Sequence, residues 1–288
     1  MNRREMVAFA AATAAGAITS PRFDPARVRV RKTGKVQIVF DSPVPAPNGL
    51  QATQDGWWII DQGAGSRACL ASYETGKALR SFETETDRPS GITFDGEALW
   101  IGSTYSREIV RCSAANGKTI ERRFTPGAGV IYRMSGDPPA RVSPLSKSRP
   151  KPAVATGAST GGGYPAGDVL GSKALGTGAH GQEWRDGRLW FAVPPSREVY
   201  RVDPKTWTVE LKFPTAGNRP HGIGWEGRYL WVTDSNLNAF FKHDPETGEI
   251  REKIQLADND PLPHGMTIWQ GWLWYCDDVG VVCRLKLS

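Results

Sequence analysis

One pattern recurs five times along this chain, and it limits the fold more than any other feature: a small or polar residue, Gly, a short apolar strand, a turn, then an aromatic strand. It opens at Pro47-Asn48-Gly49-Leu50, Pro89-Ser90-Gly91-Ile92, Ala179-His180-Gly181-Gln182, Pro220-His221-Gly222-Ile223 and Pro263-His264-Gly265-Met266. Each opening is followed by a dipeptide suited to a tight hairpin: Asp55-Gly56, Asp95-Gly96, Asp186-Gly187, Glu226-Gly227 and Gln270-Gly271. The second strand carries Trp58, Trp100, Trp190, Trp231 or Trp274. A third strand is predicted over 67–72, 108–113, 198–203, 239–244 and 281–286. Four units turn again and end in a fourth strand, as over 249–256. Four short strands per repeat of about 42 residues are the mark of β-propeller blades, and no helical heptads support a solenoid of the same period. The fold class is therefore all-β, a β-propeller with five recognisable four-stranded blades.

The last unit stops at Ser288 after three strands, while residues 35–40 form a strand with no blade of their own. That strand is expected to supply the missing fourth strand and close the ring, which leaves no long open sheet edge. The openings are 42, 90, 41 and 43 residues apart. The long interval contains residues 128–178, a Gly/Pro-rich insertion with Asp137-Pro138-Pro139, Arg149-Pro150-Lys151-Pro152 and Gly161-Gly162-Gly163. Pro is excluded from central strands and Gly weakens them, which favours five blades with a long inserted loop over one mouth. A sixth, degenerate blade within 128–178 is the alternative.

Residues 1–20 read as an export signal of twin-arginine type, with Arg3-Arg4, an apolar run from Met6 to Ile18 and a small-residue cleavage site at Ala15-Gly16-Ala17. The protein is expected to be periplasmic or secreted. The apolar run is too short for a membrane span. Residues 21–34 form a basic leader, read as solvated, and 35–288 the single propeller domain. The net charge of +6 is not organised as a basic helix or an aromatic-basic surface, so nucleic acid is not an expected partner. The four cysteines lack metal-type spacing. Cys276 and Cys283 flank a hairpin turn, but directly opposed strand positions rarely suit disulfide geometry, so buried thiols are expected.

Three of the chain's four histidines, His180, His221 and His264, share one register just before Gly, and Asn48 and Ser90 fill it in the first two units. In a propeller the equivalent positions on innermost strands surround one axis, so these side chains should converge at one channel mouth. Converging neutral imidazoles suit a divalent metal; without one, a His there can act as a general base. The competing reading is a duplicated His that only hydrogen-bonds adjacent backbone. Asp61, Asp234 and Asp277 share a register three residues after the strand Trp. They are expected either as structural partners within each blade or as a second shell fixing the imidazole tautomers. Glu183, the one carboxylate on these first strands, is a further ligand or acid–base candidate. Trp184, Trp225 and Trp269 are candidates to reach the channel, and His243 is read as a surface residue.

The run from Pro220-His221-Gly222-Ile223 through Leu230-Trp231-Val232-Thr233-Asp234 to Asp244-Pro245-Glu246-Thr247-Gly248 resembles blades of two related propeller groups. These are the senescence-marker-protein/gluconolactonase family and the streptogramin (virginiamycin B) lyase family, and the resemblance covers roughly 36–127 and 179–288. The first implies a channel metal at the residue before Gly, matched here by Asn48, His180, His221 and His264. With His in place of oxygen ligands, zinc is favoured, and manganese, iron, magnesium and calcium stay open. The second implies a channel His and a magnesium ion that open a lactone by elimination.

The resulting expectation is an exported metal-dependent hydrolase that opens an ester or lactone of a small organic molecule. Its metal is held by His180, His221, His264 and Asn48, with His180, His221, His264 and Glu183 as catalytic candidates. The alternatives are a lyase or isomerase with a channel His as base, and a non-catalytic ligand-binding propeller.

Overall fold

The computed structural model describes residues 24–63, 65–132, 134–150 and 177–287. The export signal over 1–20 lies outside these residues, as do 151–176 of the 128–178 segment read as a possible sixth, degenerate blade. Every observed strand belongs to one of five antiparallel four-stranded sheets. After β1 (Gln37–Asp41), the first blade is β2 (Pro47–Thr53), β3 (Gly56–Asp61), β4 (Arg67–Ala71) and β5 (Ala78–Glu83). The second is β6 (Pro89–Phe94), β7 (Ala98–Ser103), β8 (Glu108–Ser113) and β9 (Thr119–Phe124). The third is β10 (Gly181–Arg185), β11 (Arg188–Val193), β12 (Glu198–Val202) and β13 (Val209–Pro214). The fourth is β14 (Pro220–Glu226), β15 (Tyr229–Asp234), β16 (Ala239–His243) and β17 (Ile250–Gln255). The fifth is β18 (Met266–Trp269), β19 (Trp272–Asp277) and β20 (Val281–Lys286), completed by β1, which pairs with β20 from Gln37↔Arg284 to Asp41↔Val281. The ring closes as the leftover N-terminal strand required.

The Gly of each opening has a steric cause. A Cβ on Gly49, Gly91, Gly181, Gly222 or Gly265 would come under 3.0 Å from backbone of the next inner strand around the ring. Gly49 meets Gly91, Gly91 meets His180 and Gly181, Gly181 meets His221 and Gly222, Gly222 meets His264 and Gly265, and Gly265 meets Gly49. The five inner strands thus touch backbone to backbone in one closed tier, which fixes where the residue just before each Gly must stand.

The recurring tryptophans pack between blades, all at most 6% exposed. Four face a cation directly across the strand pair: Trp100↔Arg111, Trp190↔Arg201, Trp231↔Lys242 and Trp274↔Arg284. Each cation lies 5.2–5.7 Å from its indole centroid, a range in which the ring quadrupole attracts charge. Trp184, Trp225 and Trp269 do not reach the channel. Trp184 stacks on Trp100 and Trp269 on Tyr73, while Trp225 meets Trp190 edge to face, because beyond the glycine tier these positions fall on the blade-packing face of the strand.

Two further expectations change. His243 is fully buried: its turn folds against the preceding blade, with its ring 5.1 Å from Phe213 and Nδ1 3.0 Å from the Gly248 carbonyl. The basic leader is not free in solvent either. Val30 bridges to Lys253 on the outer strand β17, and Arg31 pairs with Glu226 at 2.8 Å and Glu252 at 3.6 Å. All four cysteines are buried free thiols. Among the described residues no helix is long and apolar enough to cross a membrane.

Candidate functional site

The five residues before the glycines converge as the repeat predicts. Going round the ring, Ser90 Oγ lies 2.5 Å from Asn48 Oδ1 and 3.1 Å from the His180 carbonyl. The His180 and His221 rings are 4.8 Å apart between centroids, and the His221 and His264 rings 4.7 Å. A β-bulge at three of the openings turns these side chains inward.

The partners that orient them are not the expected ones. Asn48 donates to Gln62 at 3.3 Å, His221 Nδ1 lies 2.6 Å from Ser235 Oγ, and His264 Nε2 lies 3.4 Å from Asp278. Each partner stands 14 residues on, one position past Asp61, Asp234 and Asp277. Those three aspartates face the other way along the strand and serve the loop that leads into their own blade. Asp61 accepts from the Ala46 and Gly63 amides, Asp234 from those of Arg219 and Leu237, and Asp277 from that of Leu262. Of the two roles expected for them, the structural one describes Asp61 and Asp234, while Asp277 stays next to the site.

Tautomers follow from the partners. Ser235 has one hydroxyl proton and places it on the Pro263 carbonyl at 2.5 Å, so its oxygen accepts from His221 Nδ1–H. The His221 lone pair therefore sits on Nε2. His264 Nδ1 faces the Leu262 carbonyl at 3.3 Å and so carries its proton, which leaves Nε2 turned toward Asp278. His180 Nε2 is 2.8 Å from Thr177 Oγ1, and its Nδ1 is buried without a hydrogen-bond partner. Burial, with Arg219 and His264 adding, pushes His180 down to about 3, so this imidazole is neutral.

Among the described residues, His264, Asp277 and Asp278 offer one ligand atom each within 4.8 Å of one another, and all three are buried. Of the four expected metal ligands, only His264 belongs to this group. Asn48 spends its amide on Gln62 and Ser90. Burial raises the Asp277 carboxyl, the Ser143 hydrogen bond opposes this, and the neighbouring Asp278 charge adds to it. Arg219, whose charge burial disfavours, faces Asp278 and Asp234.

Glu183 stands apart, three residues deeper along β10, on the order of 10 Å at strand rise. It shares a polar tier with Gln51, Thr93 and Thr267, the residues at the same offset in their blades. Burial pushes its carboxyl up to about 8.

Solved structures share this architecture. The glutaminyl cyclase of Myxococcus xanthus matches with a TM-score of 0.57 at 11% identity, over 91% of this chain and 99% of that one. The virginiamycin B lyase of Staphylococcus aureus matches with a TM-score of 0.47 at 16% identity, over 88% and 99% of the two chains. A streptogramin B lyase structure gives 0.47 at 16%, over 89% and 98%. No protein-family model matches the sequence. Curated proteins give no sequence match. At these identities the likeness is one of fold, so the chemistry must be read from the chain's own residues.

Sequence reasoning missed Ser235, Asp278, Gln62, Ser143 and Arg219. The signal for the first three was the constant spacing of 14 from the ring residue. Nothing in the repeat points to Ser143, which reaches Asp277 from the inserted segment at 2.6 Å.

Proposed function

We propose that this protein is an exported, metal-dependent enzyme that opens an ester or lactone of a small organic molecule at the His-lined mouth. The observation that carries this reading is the chain from His221 Nδ1–H to Ser235 and on to the Pro263 carbonyl, which places the imidazole lone pair on Nε2, with the His264 ring beside it. A His held in one tautomer by a hydrogen bond on its far nitrogen is suited to general-base work.

The metal fits a ligand set that differs from the three-imidazole one. His264, Asp277 and Asp278 would hold it: their ligand atoms lie within 4.8 Å of one another, and Asp277 Oδ1 is buried without a hydrogen bond. One imidazole nitrogen and two carboxylates suit zinc or manganese. A divalent cation, when bound, supplies Lewis acidity toward the acyl carbonyl oxygen.

His221 Nε2 takes a proton from water as the water oxygen attacks the acyl carbon. The acyl C–O bond then breaks, and the imidazolium returns the proton to the leaving oxygen. His180, neutral and next in the ring, lines the substrate's approach. Export is supported by Arg3-Arg4 and the apolar run behind them.

The test is turnover of a lactone and aryl-ester panel by the full chain with Zn²⁺ or Mn²⁺ in ¹⁸O water. One ¹⁸O should enter each acid formed, and His221→Ala should lower kcat/KM by about 10²-fold or more. An unsaturated product free of solvent oxygen would replace hydrolysis with elimination. A His221→Ala enzyme of full activity would remove the base.

A further inference from the structure

The fifth blade departs from the fourth at one aspartate, and the cause lies in the insertion; in the first blade Asp61 takes both the Ala46 and Gly63 amides on Oδ1. In the fourth blade Asp234 uses both carboxylate oxygens on backbone: Oδ2 accepts from the Arg219 amide and Oδ1 from the Leu237 amide. In the fifth blade the matching amide beyond the strand, Gly280 N–H, turns to the Asp277 backbone carbonyl instead. Asp277 Oδ2 still takes the loop amide, Leu262 N–H at 2.7 Å, but its second donor is the Ser143 hydroxyl at 2.6 Å. Both hydrogen bonds fall on one oxygen, and Oδ1 is left buried and unbonded among His264 and Asp278.

Ser143 is fixed for this task. Its oxygen accepts from Leu145 N–H at 3.1 Å, so its one proton is committed to Asp277. It is 4% exposed. Its segment is strapped across three blades on either side of that contact. Arg197 of the third blade grips both oxygens of Asp137 at 2.7 and 2.6 Å. Asn236 of the fourth blade accepts from the Arg141 amide at 3.2 Å. Leu145 packs on the fifth-blade core, and Arg149 pairs with Asp41 of β1 at 2.7 Å. A hydroxyl 134 residues away in sequence is thereby held to one atom of a buried carboxylate.

We infer that the inserted strap completes the cation site, with Ser143 as a positioning residue that turns a structural aspartate of the repeat into a ligand by holding Oδ2 and freeing Oδ1. This deepens the functional reading above and rests on its metal, but its test reads cation binding and not turnover. Partners that orient metal-ligating carboxylates are typically worth 10–100-fold in metal affinity.

The experiment titrates full-length protein with Zn²⁺ and with Mn²⁺ against a chromophoric chelator, with near-ultraviolet circular dichroism confirming the fold. Ser143→Ala should bind at least about 10-fold more weakly than wild type, and Ser143→Thr, which keeps the hydroxyl, should bind within about threefold of it. Ser143→Cys, of similar volume but a weak donor, takes the place of the alanine variant if that chain does not fold, with the same expected loss. Equal affinity in wild type and Ser143→Ala, or in wild type and Ser143→Cys, overturns the inference while leaving the metal in place. Ser143→Thr as weak as Ser143→Ala assigns the effect to packing and also overturns it. A wild-type chain that binds neither ion removes the metal itself, and this role with it.

Discussion

Glu183→Gln offers the sharpest test of how the channel interior is built. The Glu183 carboxyl is 6% exposed, and its resolved neighbours are the Thr267 hydroxyl at 3.4 Å, the Gln51 amide and the more distant Arg185 charge. These do not offset desolvation, and burial pushes its pKa from 4.5 up to about 8. The sign follows from proton counting. Between pH 4.5 and 8 the folded chain keeps a proton that the unfolded chain releases, so folding stability falls as pH rises through that window. Integrating the linkage between pH 5 and pH 8 gives a loss of about 3.5 kcal/mol from this one group. Gln keeps the shape and the acceptor for Thr267 but cannot ionise.

The assay is urea unfolding of wild type and Glu183→Gln at pH 5 and pH 8, read by the fluorescence of the eleven tryptophans. Every other titrating group is common to both chains, so the difference between the two pH dependences isolates Glu183. Wild type should lose about 3.5 kcal/mol more than the variant over this interval. Pairs of curves that shift in parallel, within about 1 kcal/mol, would mean that Glu183 ionises freely or is neutralised by a bound cation. The polar tier of Gln51, Thr93, Glu183 and Thr267 would then be a charged site and not a neutral plug.

Two further outcomes follow from the packing. Gly265→Ala places a Cβ under 3.0 Å from Gly49 and Asn48 backbone, where neither neighbour can swing aside; it should cost about 3 kcal/mol or more in urea unfolding, while Gly34→Ala, with no neighbour nearer than 3.7 Å, should be near neutral. His243 is pushed down to about 4 by burial, so its contribution is intact above pH 6.5 and lost as pH falls through 4. Wild type should therefore lose about 2 kcal/mol more than His243→Asn between pH 7 and pH 5, and equal losses would show that the ring is solvated.

The fold was readable because its period is enforced by sterics. The residue-Gly pair recurs since five backbones meet at one tier, and the strand Trp recurs since each blade must cover the next. Contacts between blades were not readable, because no repeat unit contains both halves of one. His243 looked like a turn residue until Phe213 of the preceding blade was seen against it. The tryptophans of the inner strands looked channel-facing until their ring partners appeared in neighbouring blades. The basic leader over 21–34 read as solvated because the acids that hold Arg31, Glu226 and Glu252, lie some two hundred residues away.

Asp61, Asp234 and Asp277 recur because three blades close the loop before them with a carboxylate that accepts its amide; the second and third blades carry Ser103 and Val193 at that position. One residue further on, Gln62, Thr104, Pro194, Ser235 and Asp278 vary, and three of these reach the ring residue of their own blade. Alternation along a strand sends the two positions to opposite faces, so Asp61 and Asp234 serve the scaffold while Gln62, Ser235 and Asp278 turn to the ring residues. In an assembly of near-identical blades, chemistry needs asymmetry around the axis. That asymmetry is greatest in the fourth and fifth blades, where His221, Ser235, His264 and Asp278 replace the neutral Asn48–Gln62 pair of the first. The insertion adds the largest asymmetry, and it reaches the one repeated aspartate whose second oxygen is left unbonded in the interior.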